Sequence, residues 1–200
     1  MHPDGAFRWN DKDAMRSLAS EISFGMLFLT TAEGPRVAHL PFVFVDDDRI
    51  GFHMSRGNAL AKHLHEEEVL FVVNGPDCYI SPDWYGIKDQ VPTWNYVALE
   101  LQGRVHKMDE EALISQIDAL SCQQENKLAP KPVWTRAKMS NGYFNQLLSG
   151  ISGFEMTITA WRSTLKLGQN KNQIARNAAA DGAEGAGAKA MADLMRNLSL

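Results

Sequence analysis

The chain has 200 residues, 44% hydrophobic and 22% charged, with a net charge of −4, the profile of an ordinary globular protein with one full core. No apolar run approaches the about 20 residues of a membrane helix, and the start, MHPDGAFRWND, lacks the basic and apolar regions of a secretory signal. Cys78 and Cys122 are the only cysteines, which is no disulfide framework, so a reducing, cytoplasmic setting is expected.

In chain order, Asp11 or Asp13 caps a short helix through Ala19, with Met15, Leu18 and Ala19 on its apolar side. Phe24 to Thr31 reads as a buried strand, and Ala32-Glu33-Gly34 as a tight hairpin turn. A second strand spans Pro35 to Val45 with Pro41 inside it, which calls for a bulge or an edge position. The third is Arg49 to Met54, followed by a helix from about Gly57 to Glu66; the fourth is Val69 to Asn74. The segment Gly75 to Tyr96, with its aromatics and three prolines, is expected to be an ordered loop between strands, facing a flat ligand or plugging a barrel end. Tyr96 to Lys107 alternates cleanly, with Val97, Leu99 and Leu101 on one face. Asp109 then caps a helix to about Gln124, a short helix lies near Tyr143–Leu148, and Phe154 to Leu167 is the final strand. Residues 1–177 form the main domain, and 178–200 an Ala/Gly-rich linker with a short amphipathic helix. Strands joined by short turns, with helices at a few crossings, predict a mainly β fold, a small antiparallel barrel; an open sandwich is the alternative.

Charge is unevenly spread. Residues 1–125 carry 20 acidic and 10 basic side chains, whereas 126–180 carry 1 and 8. That permits nucleic-acid contact, yet no recognition-helix pattern or dense Lys/Arg cluster accompanies it.

Three places offer polar groups that packing does not need. They are His39-Leu40-Pro41, the run His53-Met54-Ser55-Arg56-Gly57-Asn58, and Lys166 to Asn172. In the second, a strand passes to a predicted helix whose N-terminal N–H groups, beside Ser55 and Asn58, suit a phosphate; ordinary capping by the same two side chains is the simpler explanation. His63 and His65 diverge on that predicted helix and no other His or Cys stands at ligand spacing, so no metal site is expected. Neither cysteine has the surroundings of a nucleophile.

His39-Leu40-Pro41, His53 with Asn58, Gly75-Pro76, Tyr79-Ile80-Ser81-Pro82, Trp84-Tyr85, Val91-Pro92-Thr93-Trp94-Asn95-Tyr96, Gly103 and Lys166-Leu167 with Gln169-Asn170 occur in one order. Together they resemble the PaiB-type FMN-binding negative transcriptional regulators, from about Phe24 to Asn172. The resemblance implies a flavin split barrel, a homodimer, FMN at the dimer interface, and transcriptional repression. It implies cofactor contacts from His39, Leu40, Pro41, His53, Met54, Ser55 and Asn58, with His39, His53, Met54, Ser55 and Asn58 on the phosphate side. Trp94, Asn95, Gln169, Asn170 and Lys171 are implied nearer the isoalloxazine. The chain departs from that pattern with Ala59 in place of Pro, Asp77 in place of His and Gly168 in place of Ser. An FMN-dependent oxidoreductase and a haem-binding or haem-degrading protein are the alternative functions.

Overall fold

The computed structural model describes residues 2–198, which divide into two compact units. One comprises Ala19–Val73 and Glu100–Trp161, the other Met1–Leu18, Asn74–Leu99 and Arg162–Leu200. Among the described residues six strands, β1 (Phe24–Thr31), β2 (Gly34–Phe44), β3 (Arg49–Ser55), β4 (Glu68–Ile80), β5 (Thr93–Lys107) and β6 (Ile151–Lys166), follow the order β1–β2–β3–β6–β5–β4. The paired registers are antiparallel, and β1 pairs with both β2 and β4, which closes the sheet. The α-helices among the described residues are α1 (Lys12–Ile22), α2 (Glu110–Asn126), α3 (Tyr143–Leu148), α4 (Gln173–Gly185) and α5 (Lys189–Arg196). Among the described residues, no helix is long and apolar enough to cross a membrane.

The first unit is built on two-residue alternation. In β1, Leu27 and Leu29 point inward while Phe24, Met26 and Phe28 point outward; in β3, Ile50, Phe52 and Met54 are buried. β2 pairs with β1 as far as Phe24↔Pro41 and with β3 from Phe42↔Phe52 onward. Pro41 therefore stands where pairing passes from one neighbour to the other, a position that does not need its missing N–H. Asp109 accepts the Ala112 N–H at 2.8 Å and caps α2, and Glu110 and Glu111 complement the helix dipole. Leu113, Gln116 and Leu120 are its buried face.

The second unit holds the helix pair α4 and α5. Asn172 caps α4 through the Ala175 N–H at 2.9 Å. Ala175, Ala179, Ala180 and Ala183 of α4 are buried with Met191, Ala192 and Met195 of α5, around Ile80, Tyr85, Val97 and Leu167.

Three expectations are corrected. The expected helix from Gly57 to Glu66 does not form; the segment runs in turns, because Ser55 Oγ accepts the Gly57 N–H (3.1 Å) and Asn58 Oδ1 the Leu60 N–H (3.0 Å), a local alternative to helical bonding. The expected loop from Gly75 to Tyr96 is shorter than read: Gly75–Ile80 extends β4, Thr93 onward belongs to β5, and the connection between them, which holds a 3₁₀ turn at Pro82–Tyr85, is confined to residues 81–92. The expected Ala/Gly linker is helical through Gly185, because its alanines are buried at helical spacing.

Candidate cofactor site

In the second unit, the chain ends of β5 and β6 and the turns around them enclose a cavity of about 260 Å³. Its walls include Phe7 and Tyr85, its polar groups Asn95, Asn170, Lys166 and Lys171. Both ammonium groups meet neutral oxygens. Lys166 Nζ donates to Thr93 Oγ1 at 2.6 Å and lies 5.8 Å from the Phe7 ring centre. Lys171 Nζ donates to Gln90 Oε1 at 2.5 Å and lies 5.5 Å from the Tyr85 ring centre. Partial burial pushes the Lys166 pKa below its ordinary value, with no carboxylate to pull it back. Burial likewise pushes the Tyr85 hydroxyl up. The lining also carries the Asp4 carboxylate, which accepts the Ala6 N–H at 2.9 Å; with two lysines against one carboxylate beside aromatic rings, the cavity favours a flat ligand bearing negative charge.

Strand alternation sorts the residues of β5. Asn95 is 1% exposed and faces inward, its Nδ2 donating to Met195 Sδ at 3.4 Å. Trp94, 53% exposed, faces the other way, donating Nε1–H to Asp77 Oδ1 at 2.9 Å and packing edge-on against Tyr79. The Trp94-Asn95 pair therefore does not act as one surface: Asn95 lines the cavity and Trp94 does not. After β6, Gln169 is spent on the backbone, accepting the Leu167 N–H at 2.7 Å and donating to the Leu165 carbonyl. Its neighbours Asn170 and Lys171 line the cavity. Gly168 has φ +81°, a left-handed conformation in which serine would be strained.

The remaining nominated residues lie in the first unit. His39 is exposed on β2, stacked at 6.5 Å with Phe24. Leu40 and Met54 bury their side chains in the core, and Pro41 is half-buried at the pairing switch. The half-buried His53 has its Nδ1 2.9 Å from Gln116 Oε1. Gln116 Nε2 donates to the Gly51 carbonyl, which orients the amide so that its oxygen faces the ring. That oxygen can only accept, so Nδ1 carries the proton and Nε2 of the neutral ring is left as an acceptor. Ser55 and Asn58 spend one acceptor each on their own turn, and with no helix there the expected dipole end is missing.

Of the cavity lining, sequence reasoning nominated Asn95, Asn170 and Lys171 and missed the rest, among them His2, Asp4, Phe7, Tyr85, Thr93 and Lys166. Lys166 stood in the nominated polar run and its charge was the available signal; the N-terminal residues gave none. It also missed a cluster that spacing hides: His65, Glu66 and His106 bring their donor atoms within 4.8 Å of one another.

Residues 1–160 match the family model described as "Putative FMN-binding domain". The chain is 29% identical over 171 residues to "Protease synthase and sporulation protein PAI 2" of Bacillus subtilis (strain 168), covering 84% of this chain and 81% of that one. Among solved structures it is similar to an FAD and heme binding protein from Mycobacterium smegmatis, with TM-score 0.59 and 17% identity over 80% of this chain and 74% of that one. It is also similar to the flavocytochrome Anf3 from Azotobacter vinelandii, with TM-score 0.58 and 16% identity over 84% and 73%. At these identities the structural likeness shows a shared fold.

Proposed function

The chain belongs to the FMN-binding family that its first 160 residues match and FMN is its cofactor, and on that premise we propose that it is a cytoplasmic homodimeric flavin split barrel whose bound FMN carries a regulatory signal. The observation that carries the cofactor assignment is the cavity bearing Lys166, Lys171, Asn95 and Asn170 beside Phe7 and Tyr85. These residues fit an anionic, planar group: the lysines supply charge, the amides directional hydrogen bonds, and the rings flat contact. When bound, FMN supplies reversible uptake of one or two electrons. The phosphate contacts that the family resemblance implies, from His39, His53, Met54, Ser55 and Asn58, belong to the other unit and are not placed at this cavity, and Gln169 and Trp94 do not line it.

Two observations support the homodimer. A cavity of about 260 Å³ is small against the roughly 300–1,000 Å³ of typical ligand pockets, so one chain encloses part of such a ligand. The outward face of β2, β1 and β4 aligns Val37, Phe28 and Leu70 in one row and His39, Met26 and Val72 in the next, with Phe24, Phe28 and Val37 exposed. A contiguous apolar sheet face of this kind is what a partner covers. The free thiols of Cys78 and Cys122 support a reducing compartment.

The regulatory reading is supported by the name of the Bacillus relative. Direct DNA reading by this chain is not: the basic residues of 126–138 are turned to their own chain. Lys127 Nζ donates to the Glu21 carbonyl, Lys131 pairs with Glu125, Arg136 Nη2 lies 3.1 Å from Asp118 Oδ2, and Lys138 reaches the Val133 carbonyl. Two of the four are paired with carboxylates and the other two are bonded to backbone carbonyls, so they do not stand together as one free cluster for phosphates.

One set of measurements on the purified protein tests the proposal. The visible spectrum is expected to show flavin bands, light scattering twice the 22.3 kDa chain mass, and titration tighter binding of FMN than of riboflavin or FAD. Gel shifts are expected to give weak, salt-sensitive, sequence-independent DNA affinity. A stable monomer overturns the dimer, equal affinity for riboflavin overturns the phosphate assignment, and nanomolar competitor-resistant DNA binding makes the protein a direct repressor. Multiple turnover of a reduced nicotinamide donor, with no effect of the protein on transcription, replaces regulation with an oxidoreductase function.

A further inference from the structure

We propose that His65, Glu66 and His106 bind a divalent transition-metal ion of the zinc class. His65 and Glu66 stand in the turn that precedes β4, and His106 is the penultimate residue of β5. Two backbone bonds hold the turn to the strand: the Glu66 N–H donates to the Val105 carbonyl at 2.7 Å, and the Val105 N–H to the Glu67 carbonyl at 3.0 Å. Glu66 has φ +66°, a left-handed conformation that glycine adopts freely and a residue with a side chain adopts under strain. A glycine would close this turn more cheaply, so the carboxylate is what the position retains.

That carboxylate is placed between the two imidazoles. Glu66 Oε1 lies 2.8 Å from His106 Nδ1 and 3.8 Å from His65 Nε2. Its other oxygen, Oε2, lies 3.7 Å from Arg104 Nη1, and Arg104 also donates to the Glu66 carbonyl at 3.2 Å and lies 3.5 Å from Glu68 Oε1. Arg104 thus orients the carboxylate and leaves Oε1 to the histidines, the role that outer partners play around metal ligands.

The donor set selects the ion. Two imidazoles with one carboxylate suit zinc and its neighbours, whereas calcium and magnesium call for oxygen ligands. Donor atoms around a tetrahedral zinc with bonds of about 2.0–2.1 Å stand roughly 3.4 Å apart. The separations here reach 4.8 Å at most, and all three side chains are about half exposed, so small rotations close the difference. The open side leaves the remaining coordination positions to water. In the metal-free clasp the His106 Nδ1 proton points at the carboxylate, and His65 Nδ1 accepts the Lys107 N–H at 3.2 Å, which leaves its own proton on Nε2, facing Glu66. Zinc takes the place of those two protons, which move to the opposite ring nitrogens, and His65 gives up its Lys107 bond.

The cluster shares no residue with the cofactor site, so its test is independent of the flavin assignment. The full-length, FMN-loaded protein is stripped with chelator and titrated with Zn²⁺ by calorimetry, with circular dichroism to confirm folding of each variant. One Zn²⁺ per chain is expected. His65→Ala, His106→Ala and Glu66→Gln are each expected to weaken it at least tenfold, while His63→Ala leaves it unchanged. Mg²⁺ at the same concentrations is expected to give no binding. No Zn²⁺ binding by the wild type, unchanged affinity in His65→Ala/His106→Ala, or equal affinity for Mg²⁺ would each overturn the proposal.

Discussion

The unit built on Ala19–Val73 and Glu100–Trp161 buries Phe42, Phe52, Phe71 and Phe154 with Leu27, Ile50 and Met156, whereas the unit that carries the cofactor cavity closes its core with Ala175, Ala179, Ala180, Ala183 and Ala192. The first gains most of its stability from large side chains, each worth about 1.5–3 kcal/mol on burial. An alanine contributes far less, so the second unit depends on the close approach of its backbones. Truncation should therefore damage the first core and enlargement the second. The cavity lies in the unit with the alanine-lined core, so a ligand bound there would add its binding free energy to that unit's stability.

The largest effect expected is from Phe154→Ala. Its ring is 1% exposed and stacks at 5.9 Å on Phe52, so the deletion leaves a cavity within an aromatic cluster. A loss of about 3–5 kcal/mol is expected, read as a lowered urea midpoint with unchanged slope. A loss under about 1 kcal/mol would mean that this core collapses readily, and the contrast between the units would fail.

Gly182→Ala is the converse experiment, and its sign is diagnostic. In an exposed helix interior this change stabilises by roughly 0.5–1 kcal/mol. At Gly182 a β-carbon would stand 2.4 Å from Cγ and Cδ2 of Trp84, on a rigid indole that cannot give way by rotating its tip. A destabilisation of about 1–3 kcal/mol is expected instead, measured in the FMN-free protein, with FMN recovering part of it. A stabilised variant would show that the Ala-lined core has room to spare.

The same contrast explains what could be read from the sequence. Phe24 to Thr31 announces its strand as a short apolar run and Tyr96 to Lys107 by an alternation that survives in the letters, and Asp109 announces α2 through its capping chemistry. Ala178 to Ala190 hides α4, since alanine and glycine carry no apolar period that distinguishes a buried helix from a linker. The Gly57 turn was hidden for the opposite reason: Ser55 and Asn58 were legible as caps, and they cap a turn instead of a helix. Asn95 and the pair Asn170 and Lys171, far apart in the sequence, line one cavity. Trp94 does not join them, because β5 begins at Thr93 and its alternation turns Trp94 away from Asn95, in a segment that the sequence reads as loop. His106 stands 41 positions from His65, and spacing arguments do not reach across two strands.

The smallest effect on stability is expected at Asn95, although it is almost fully buried. Burying an amide normally requires good partners, and its removal is costly when they are lost. Here the Nδ2 group meets only the Met195 thioether at 3.4 Å, a weak acceptor, and the side chain also faces the cavity. Asn95→Ala in the FMN-free protein should therefore cost under about 1 kcal/mol, a small shift in melting temperature. Its FMN affinity should fall about fivefold to tenfold, the worth of one hydrogen bond of roughly 1–1.4 kcal/mol. Fluorescence titration beside thermal melts of the same preparations separates the two. A large loss of stability with unchanged FMN affinity would make Asn95 a packing residue of the helical unit, and would move the cofactor contact away from the core on which the comparison rests.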